Sequence, residues 1–440
     1  MQAPVKVGIC GLGTVGGGSL RLLLGNADEI ARRAGLPVEV VRVATRRPQA
    51  AKETVRTDSG IALGDDPFAV VNDDDVQVVV ETMGGFEPAF EVVGQALANG
   101  KQVVTANKAL IAERGDELFE IAERHGTTLA YESSVAGGIP IIKTMREGLA
   151  ANRIEWLAGI INGTGNFILS EMAAGGRTFE DVLAEAQELG YAEADPSFDV
   201  DGTDAAHKLT IMASIAFGIP LQFAATYTEG ISALVPEDLA YAEELGYRIK
   251  HLGIARHTGK GIELRVHPTL ISKRWLLSEV AGVDNAIVVK GHAVGTTMYQ
   301  GPGAGSDATA SAVVADVIDI ARQLRAGAAQ PLVPALHYHG AASKLPVVSI
   351  DGIESECYLR IPVLDRMGVM ARITRVLEQH AISIEAVIQK EVHGGSIPIV
   401  LLTHAVPDGN MNAAIAELGS LPDVVGPIGR IRVAPFSAGE

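Results

Sequence analysis

Four ionisable side chains lie close together near the middle of the chain: Glu193, Asp199, Asp204 and Lys208. Asp204 and Lys208 are four residues apart at the start of segment 203–218, which is otherwise apolar and predicts a helix, so both share one helical face. Carboxylates around one lysine suit an amino-acid substrate, because they can hold its ammonium group while the lysine supplies a proton. An Asp–Lys pair at this spacing is more commonly a surface ion pair, so the rest of the chain has to decide between these interpretations.

The segment before this helix has to bring the other two carboxylates to the same face. Residues 195–199 are rich in turn-forming types, and Gly202 gives the backbone freedom where the helix begins. Glu193 and Asp199 are therefore predicted to reach the site from a loop.

Composition and charge limit the class of protein. A chain of 440 residues with 47% hydrophobic residues can form two or three domains. Its net charge of −17 argues against binding to nucleic acid or to an anionic membrane, since phosphate binding needs concentrated positive charge. The longest apolar stretch, 209–225, is broken by Gly218 and Pro220, which indicates a buried helix and a turn rather than a membrane span.

The two cysteines, Cys10 and Cys357, lie far apart in strand-like contexts. This predicts a reducing compartment, without a disulfide framework or a cysteine-type metal cluster. The N-terminus also runs directly into an apolar strand without a basic-then-apolar signal region, so a cytoplasmic location is expected.

A glycine-rich turn follows the first predicted strand, 5–10, and precedes an amphipathic segment, 19–33. In such a turn, backbone N–H groups approach a pyrophosphate that the positive end of the helix then holds. A GxGxxG pattern between a strand and a helix favours dinucleotide binding over a plain tight turn. The predicted cofactor contacts of the turn are Gly11, Leu12, Gly13, Thr14, Val15 and Gly16.

The second predicted strand, 38–45, decides between the two nicotinamide cofactors. An NAD enzyme commonly ends this strand with an acidic residue for the ribose 2′-OH, but here Arg46 and Arg47 follow Thr45. Two guanidinium groups suit a 2′-phosphate, so NADP is favoured while NAD remains possible. The alternative is that these arginines are solvated loop residues.

Strands and helices then alternate, which predicts a parallel sheet with helices on both faces. The predicted strands are 76–83, 101–106 and 127–131, and the predicted helices are 88–99 and 110–125. Ligands collect at the carboxyl ends of such strands, where Lys108 and Ser133 stand. Both are predicted to lie near the cofactor, although Lys108 could equally be solvated.

After residue 139 the alternation stops, and the chain predicts a second, α+β domain that carries substrate and subunit contacts. It contains an amphipathic helix predicted at 236–252 and strands around 261–271 and 285–292. A glycine loop at 301–305 then opens a long helix, 306–325. This helix is predicted to pack back on the first domain and close over the cofactor with Gly303.

The last stretch has its own pattern of strand, helix, two strands, helix and strand, which predicts a ferredoxin-like unit. It holds no obvious catalytic residue and is interpreted as a ligand-sensing appendage. The predicted division is a nucleotide-binding domain at 1–137, a substrate and dimerisation domain at 138–300, a returning helix at 301–330, a linker at 331–354 and the regulatory unit at 355–440.

The central stretch resembles the signature of the homoserine dehydrogenase family at many spaced positions: Ala186, Gly190, Asp195, Pro196, Asp199, Gly202, Asp204 and Lys208. Segments 11–16, 105–108, 132–140 and 162–166 are also similar to that family, and the tail is similar to the ACT domain of many bacterial members. A kinase-like segment does not precede the nucleotide-binding part, so the chain resembles the monofunctional form. The expected fold class is α/β, with a Rossmann-type sheet, an α+β catalytic domain and a ferredoxin-like ACT domain.

This resemblance implies reversible NAD(P)H-dependent reduction of L-aspartate 4-semialdehyde to L-homoserine, within threonine, methionine and isoleucine biosynthesis. It implies that Lys208 is the acid/base, that Lys108 shares this role beside cofactor and substrate, and that Glu193 contacts substrate with Asp199 and Asp204 lining the same pocket. It further implies a homodimer or homotetramer. A sodium ion is implied near Glu132, Val135, Gly137 and Ile139.

Two other functions remain as alternatives. An acylating semialdehyde dehydrogenase needs a cysteine nucleophile near the nicotinamide, but Cys10 lies in a strand and Cys357 in the tail. A non-catalytic amino-acid sensor would have lost its active-site residues, whereas Lys208 and its carboxylates are intact.

The tail raises its own question. Its turn at 364–368 resembles the effector loop of ACT domains, which implies inhibition by an end product, threonine first among them. The alternative is an ACT unit that serves oligomer contacts alone.

Overall fold

The computed structural model describes residues 3–51, 55, 60–328, 332–336, 338, 342–389 and 396–436. The first third forms a parallel sheet between helices. Its strands are β1 (Val5–Cys10), β2 (Val38–Ala44), β3 (Ala62–Gly64), β4 (Val78–Glu81), β5 (Gln102–Thr105) and β6 (Leu129–Ala130). Its helices are α1 (Thr14–Gly25), α2 (Ala27–Ala34), α3 (Pro48–Ala51), α4 (Pro67–Val71), α5 (Ala89–Ala98) and α6 (Lys108–His125).

These strands pair in the order β3–β2–β1–β4–β5–β6, and each of the described pairings is parallel. Val7, Ile9, Val79 and Val104 are fully buried, as expected for strands covered on both faces. The predicted Rossmann-type sheet is thus confirmed. α1 begins at Thr14, earlier than the predicted segment 19–33, because it starts directly after the glycine turn.

The middle of the chain folds as a second sheet, which is mixed, together with helices. Its strands are β7 (Ile154–Ile160), β8 (Tyr227–Thr228), β9 (Tyr247–Thr258), β10 (Gly261–Ser272), β11 (Asp284–Gly291) and β12 (Gly295–Pro302). Its helices are α7 (Ile141–Lys143), α8 (Gly163–Gly175), α9 (Phe179–Glu188), α10 (Ser197–Val200), α11 (Thr203–Phe217), α12 (Pro236–Glu244) and α13 (Ser306–Arg325). The main strands pair in the order β12–β11–β7–β9–β10.

α11 is the most enclosed of these helices, because every residue from Asp204 to Ala216 is buried. Its apolar side chains, Leu209 among them, join a core with Leu157, Ile161 and Leu264 of the sheet region. Two charged residues of α11 are therefore held inside the protein. None of the described helices is long and apolar enough to cross a membrane.

Two predictions for the middle of the chain were wrong. The helix predicted at 236–252 ends at Glu244, because Gly246 adopts φ +84° and the chain then continues as β9. The glycine loop predicted at 301–305 begins inside β12, whose Gly301 and Pro302 pair with β11. The first error overlooked a local stop signal at Gly246, whereas the second comes from the non-local pairing of β12 with β11.

α13 begins beside the glycine turn of the first sheet. Ser306 Oγ donates a hydrogen bond to the carbonyl of Thr14 at 2.9 Å, and Arg21 donates to Ser306 Oγ at 2.8 Å. A Cβ on Gly18 would lie 2.6 Å from Ser306 Oγ, so α1 and α13 approach closely. The chain thus returns to the nucleotide-binding sheet after building the middle sheet.

The last part contains β13 (Glu354–Ser355), β14 (Cys357–Leu364), β15 (Ile384–Gln389), β16 (Ser396–Thr403), β17 (Val406–Pro407) and β18 (Gly429–Val433), with α14 (Val369–Gln379) and α15 (Asp408–Gly419). The predicted ferredoxin-like order is confirmed.

Parts of the predicted linker, 331, 337 and 339–341, lie outside the described residues, as do Met1 and Gln2 and residues 390–395 and 437–440.

This last part is not an appendage, because its sheet continues the sheet of the middle part. β18 pairs in parallel with β10 through Thr269 with Arg432 and Leu270 with Val433. One extended sheet therefore runs from β12 to β15. A shared apolar cluster, which includes Tyr358 and Leu402 with Leu239 of α12, fills the junction.

Candidate active site

A cavity of about 550 Å³ lies between the parallel sheet and the middle sheet. Ten of the predicted site residues line it: Thr14, Val15, Lys108, Ser133, Gly137, Glu193, Asp199, Asp204, Lys208 and Gly303. The other nine are described residues outside this lining: Gly11, Leu12, Gly13, Gly16, Arg46, Arg47, Glu132, Val135 and Ile139. The fold therefore brings the lysine–carboxylate cluster and part of the glycine turn to one space.

Asp204 lies at the centre of the cluster, between two lysines. Its Oδ2 accepts a hydrogen bond from Lys208 Nζ at 2.6 Å, and its Oδ1 is 3.0 Å from Lys108 Nζ. Lys208 Nζ also donates to the carbonyl of Ile161 at 2.7 Å. The surface ion pair considered from sequence is excluded, because the Asp204 side chain is 4% exposed and that of Lys208 10%.

The start of α11 explains how these charges are held. Gly202 precedes the helix with φ +90°, a conformation that favours glycine, and a Cβ there would lie 3.1 Å from the ring of His251. Asp204 then falls in the first turn, where the helix dipole favours an acid, and Lys208 follows one turn later. The four-residue spacing of Asp204 and Lys208 thus places both side chains on one face of α11, as predicted.

The two lysines differ in acidity. Burial lowers the pKa of Lys208, and the positive charge of Lys108 lowers it further. The negative charge of Asp204 raises this pKa but does not cancel the decrease. Asp204 instead raises the pKa of Lys108, whose side chain is one-third exposed. Burial alone would raise the pKa of Asp204, but both lysines hold it below its usual range. Lys208 is therefore the stronger acid of the pair.

Asn162 joins the cluster although sequence reasoning assigned it no role. It lies two residues after β7, and its Nδ2 donates to Asp199 Oδ1 at 2.8 Å and to Asp204 Oδ2 at 2.9 Å. Its Oδ1 accepts from the backbone N–H of Gly165 at 2.7 Å, which caps α8. One sequence signal could have identified Asn162: it follows a strand end and is the first residue of segment 162–166.

Asp199 does not reach the site from a loop, because it lies in the short helix α10. Burial raises its pKa, and the hydrogen bond from Asn162 opposes that rise. Glu193 is exposed and lines the cavity rim, and it contributes to raising the pKa of Lys108. Both acids therefore line the cavity, and Asp199 is the less exposed of the two.

The glycine turn fits a dinucleotide. Gly11 has φ +98°, and a Cβ there would lie 2.7 Å from the carbonyl oxygen of Thr82, while a Cβ on Gly16 would lie 2.1 Å from that of Gly11. Gly13, which caps α1, has open space around its Cβ position, and the first turn of α1 has no acidic residue. Its backbone N–H groups thus suit a pyrophosphate.

The end of β2 provides the positive charge expected from sequence. Arg46 and Arg47 are exposed and follow the half-buried Thr45. Their exposed guanidinium groups are free to meet a ribose phosphate at this edge, as well as to be solvated. Gly137, with φ +51°, packs against the carbonyl of Gly303, and residues 302–305 line the cavity together with Ser133.

The predicted sodium site centres on Glu132, which is 1% exposed. Its Oε1 and Oε2 accept backbone hydrogen bonds from Ile142 at 2.9 Å and Lys143 at 2.8 Å. Burial, with a further contribution from the charge of Asp316, raises the pKa of Glu132 to about 7. A buried carboxylate is an oxygen ligand of the kind that hard cations prefer.

The other donors of that site are backbone carbonyls. The carbonyl of Ile139 accepts the N–H of Ile141 at 2.8 Å and keeps a second lone pair. Across the described ranges, no group of three or more His, Cys, Asp or Glu side chains has the arrangement of a metal site. A cation here would therefore depend on Glu132 and main-chain oxygens.

A cysteine mechanism does not fit this site. Cys10 and Cys357 are both fully buried and unpaired, and Cys10 lies inside β1. Burial raises the pKa of the Cys357 thiol to about 12 and raises that of Cys10 as well. Neither can supply the thiolate that acylation requires.

A Rossmann-type sheet whose glycine turn meets a buried lysine–carboxylate cluster defines a nicotinamide-dependent oxidoreductase. Residues 11–132 match the family model described as the NAD binding domain of homoserine dehydrogenase, and residues 140–318 match the model for homoserine dehydrogenase itself. Residues 358–423 match the ACT domain. The chain belongs to the homoserine dehydrogenase family.

Individual relatives agree with this membership. A homoserine dehydrogenase of Pseudomonas aeruginosa is 56% identical over 98% of this chain and 99% of its own length. The crystal structure of a homoserine dehydrogenase from Thiobacillus denitrificans has a TM-score of 0.93 at 54% identity, with 98% of each chain covered. A hyperthermophilic archaeal homoserine dehydrogenase in complex with NADPH has a TM-score of 0.62 at 28% identity, covering 73% of this chain and 98% of that one.

The activity follows from that membership. The chain is an NAD(P)-dependent oxidoreductase that acts on a CH–OH group, with a C-terminal ACT domain. The sensor without catalysis, considered from sequence, is not supported.

Proposed function

We propose that the chain reduces L-aspartate 4-semialdehyde reversibly to L-homoserine, with Lys208 as acid/base and NADPH as the preferred reductant. The observation that carries this proposal is the cavity that Lys208 and Asp204 share with Thr14, Val15 and Ser133. The chemistry that NADPH supplies when bound is donation of a hydride to the aldehyde carbon. The protein groups have to hold the substrate and give its oxygen a proton.

Lys208 suits the proton-transfer role. Its ammonium group has three N–H bonds, of which two are given to Asp204 and to the carbonyl of Ile161. The third is left for the aldehyde oxygen, on which negative charge grows during reduction. Since its pKa is lowered by burial, Lys208 transfers this proton more readily than an exposed lysine would.

Lys108 and the acids complete the site in this proposal. Lys108 shares Asp204 with Lys208 and can pair with the substrate carboxylate or with the cofactor. Glu193 and Asp199 hold the substrate ammonium group from one wall of the cavity. In the reverse direction Lys208 accepts the proton of the homoserine hydroxyl.

The cofactor preference rests on the end of β2. Arg46 and Arg47 are exposed there and the strand does not end in an acidic residue, which favours NADPH over NADH. The archaeal relative was solved with NADPH, which supports the same preference. A sodium ion held by Glu132 with the carbonyls of Val135, Gly137 and Ile139 is part of the proposal.

The proposal also covers regulation by an amino acid and assembly into an oligomer. Threonine binding at the ACT domain is supported by the exposed turn at 364–368, where Met367 is 99% exposed and Gly368 opens α14 at φ +83°. A homodimer or homotetramer in the cytoplasm is also proposed, and the buried unpaired Cys10 and Cys357 support the reducing location. Light scattering measures the oligomeric state directly.

One assay tests the function. Semialdehyde-dependent oxidation of NADPH and of NADH is followed with and without threonine. We expect turnover with both nucleotides, a lower KM for NADPH, and inhibition by threonine. Absence of semialdehyde-dependent oxidation would end the proposal, and kinetics unchanged by saturating threonine would leave the ACT domain with an assembly role.

A further inference from the structure

Asn162 touches two acids of the cavity without carrying a charge itself. Its side chain is almost fully buried, at 6% exposure, and lines the cavity with Asp199, Asp204 and Lys208. Both Nδ2 hydrogens are given to carboxylates, one to Asp199 and one to Asp204. These two hydrogen bonds therefore require the amide to point its Nδ2, and not its Oδ1, toward the carboxylates.

That orientation is fixed by the backbone. Asn162 Oδ1 accepts the N–H of Gly165 at 2.7 Å, and this donor can meet only an acceptor. Reversing the amide would place its N–H₂ against the N–H of Gly165 and its oxygen against two carboxylates. Both contacts would be repulsive, so the first turn of α8 determines that Nδ2 faces the acids.

The two acids need such a donor because they are like charges in a buried site. Asp204 Oδ2 takes hydrogen bonds from both Lys208 and Asn162, and Asp204 Oδ1 pairs with Lys108. Asp199 lacks a lysine partner within ion-pair distance among the described residues, and Asn162 is its hydrogen-bond donor. Without that donor the two carboxylates would repel each other and Asp204 could rotate away from Lys208.

The end of β7 also contributes a main-chain contact to the ion pair. Ile161, the preceding residue, supplies the carbonyl that Lys208 Nζ binds at 2.7 Å. Two consecutive residues after β7 thus fix both partners of the ion pair, one through the main chain and one through the side chain. A shift of this segment would move acid and counter-ion together.

We propose that Asn162 is a positioning residue, which holds Asp204 on Lys208 and keeps Asp199 ready for the substrate ammonium group. Asn162 acts through its two carboxylate neighbours and requires no contact with the reacting atoms. The inference rests on the proposed function and adds a residue to it.

The test separates positioning from helix capping. In Asn162→Ser the hydroxyl can still cap α8, since serine is as good a cap as asparagine, but it cannot bridge two carboxylates. In Asn162→Asp the cap is kept and the donor is replaced by a third negative charge. Thr178→Ala is the matched control, because Thr178 caps α9 with its Oγ1 and is an exposed residue outside the cavity lining.

We expect kcat to fall roughly 100-fold in Asn162→Ser, as for other displacements of about 1 Å in an active site, and further in Asn162→Asp. The KM for the nucleotide should change little, while Thr178→Ala should lower Tm and leave kcat as in the wild type. Capping alone predicts wild-type kcat in Asn162→Ser.

The pH profile gives a second readout. The groups that act on the pKa of Asp199 are Asn162, through its hydrogen bond, and the charges of Asp204, Lys208 and Lys108. The hydrogen bond from Asn162 lowers the pKa of Asp199, so its loss in Asn162→Ser should raise that pKa further. The acidic limb of kcat/KM should therefore move to higher pH in Asn162→Ser and stay in place in Thr178→Ala. Wild-type kcat and an unmoved acidic limb in Asn162→Ser would overturn the inference alone, whereas an inactive wild type would overturn the proposed function and this role with it.

Discussion

At the scale of single residues, the site depends on one carboxylate with two cationic neighbours of unequal acidity. Asp204 binds Lys208 at 2.6 Å and Lys108 at 3.0 Å, but burial lowers the pKa of Lys208 whereas Asp204 raises that of Lys108. An acid works best when its pKa approaches the working pH. This difference supports the proposal that Lys208 is the proton donor and that Lys108 stays positively charged.

Replacing Lys208 tests that selection. In Lys208→Ala we expect kcat to fall roughly 10²–10⁴-fold, as for loss of a general acid. The dissociation constant of NADPH should change little, because the glycine turn remains, and fluorescence titration measures it. Lys208→Arg should be impaired as well, since a guanidinium keeps the charge but does not release its proton.

The matched control removes a buried lysine elsewhere. Lys101 is 7% exposed and donates to the carbonyls of Asp73 and Val76 before β5, so Lys101→Ala should cost stability and spare kcat. Wild-type turnover in Lys208→Ala would contradict the assignment of the acid.

Glu132 gives a prediction about pH and cations. Its pKa is raised from an ordinary value of 4.5 to about 7, so the folded protein binds this proton more tightly than the unfolded chain. Between these two values its contribution to stability is therefore lost as pH rises. A cation beside the ionised carboxylate would offset that loss.

Melting temperatures in sodium chloride and in choline chloride of equal ionic strength check this. We expect a higher Tm in sodium, with a difference that widens as pH rises from about 5 to above about 7, where Glu132 is ionised. Glu132→Gln should remove the widening. Equal Tm values in both salts at every pH would contradict a sodium site at this residue.

At the scale of elements, the proposed preference for NADPH depends on the carboxyl end of β2. β2 ends at Ala44, and the next residues turn Arg46 and Arg47 out to solvent beside the glycine turn that follows β1. Because the strands are parallel, both strand ends lie at one edge of the sheet. A ribose phosphate held at that edge would meet positive charge.

Arg46→Ala and Arg47→Ala test this arrangement. Each should raise the KM for NADPH roughly tenfold and leave the KM for NADH unchanged, since one charge-assisted hydrogen bond is worth about 1.5 kcal/mol. Arg124→Ala, an exposed arginine at the end of α6, is the control. Equal effects of Arg46→Ala and Arg47→Ala on both nucleotides would show that these arginines do not read the 2′-phosphate.

At the scale of the whole molecule, the ACT domain and the middle sheet form one structure. β18 continues the sheet at β10, and Arg432 of β18 donates to Glu229 at 2.7 Å. Arg360 of β14 pairs with the buried Asp238 of α12 at 2.7 Å. Phe436, which follows β18, stacks on Trp156 of β7 with a ring-centroid distance of 4.6 Å.

This continuity predicts that the ACT domain and the middle sheet unfold together. Calorimetry should show them in one cooperative transition, because separating them would expose the edge of β10 and an apolar cluster. Arg360→Ala should lower the free energy of unfolding by roughly 3–5 kcal/mol, since it leaves Asp238 buried without its charge partner.

A surface pair provides the comparison. Arg248 and Glu279 pair at 2.6 Å with both side chains more than one-third exposed, so Arg248→Ala should cost about 1 kcal/mol or less. A separate ACT transition in calorimetry would contradict the continuous sheet as a source of cooperativity.

The sequence alone determined the features that depend on neighbouring residues. The glycine turn at 11–16, the helix with Asp204 and Lys208 on one face, the helix 306–325 and the ferredoxin-like order of the tail all follow from local spacing and composition. These signals are readable because turns and helix faces arise from contacts within a few residues.

The tertiary structure decided what depends on distant segments meeting. Local spacing did not show that Lys108 would share Asp204 with Lys208, that Asn162 would bridge two acids, or that β12 would pair with β11 into the predicted glycine loop. The joining of β18 to β10 was equally out of reach. The physical reason is that burial, and with it the acidity of Lys208, comes from the packing of separate elements, whereas the sequence specifies only each element's own preferences.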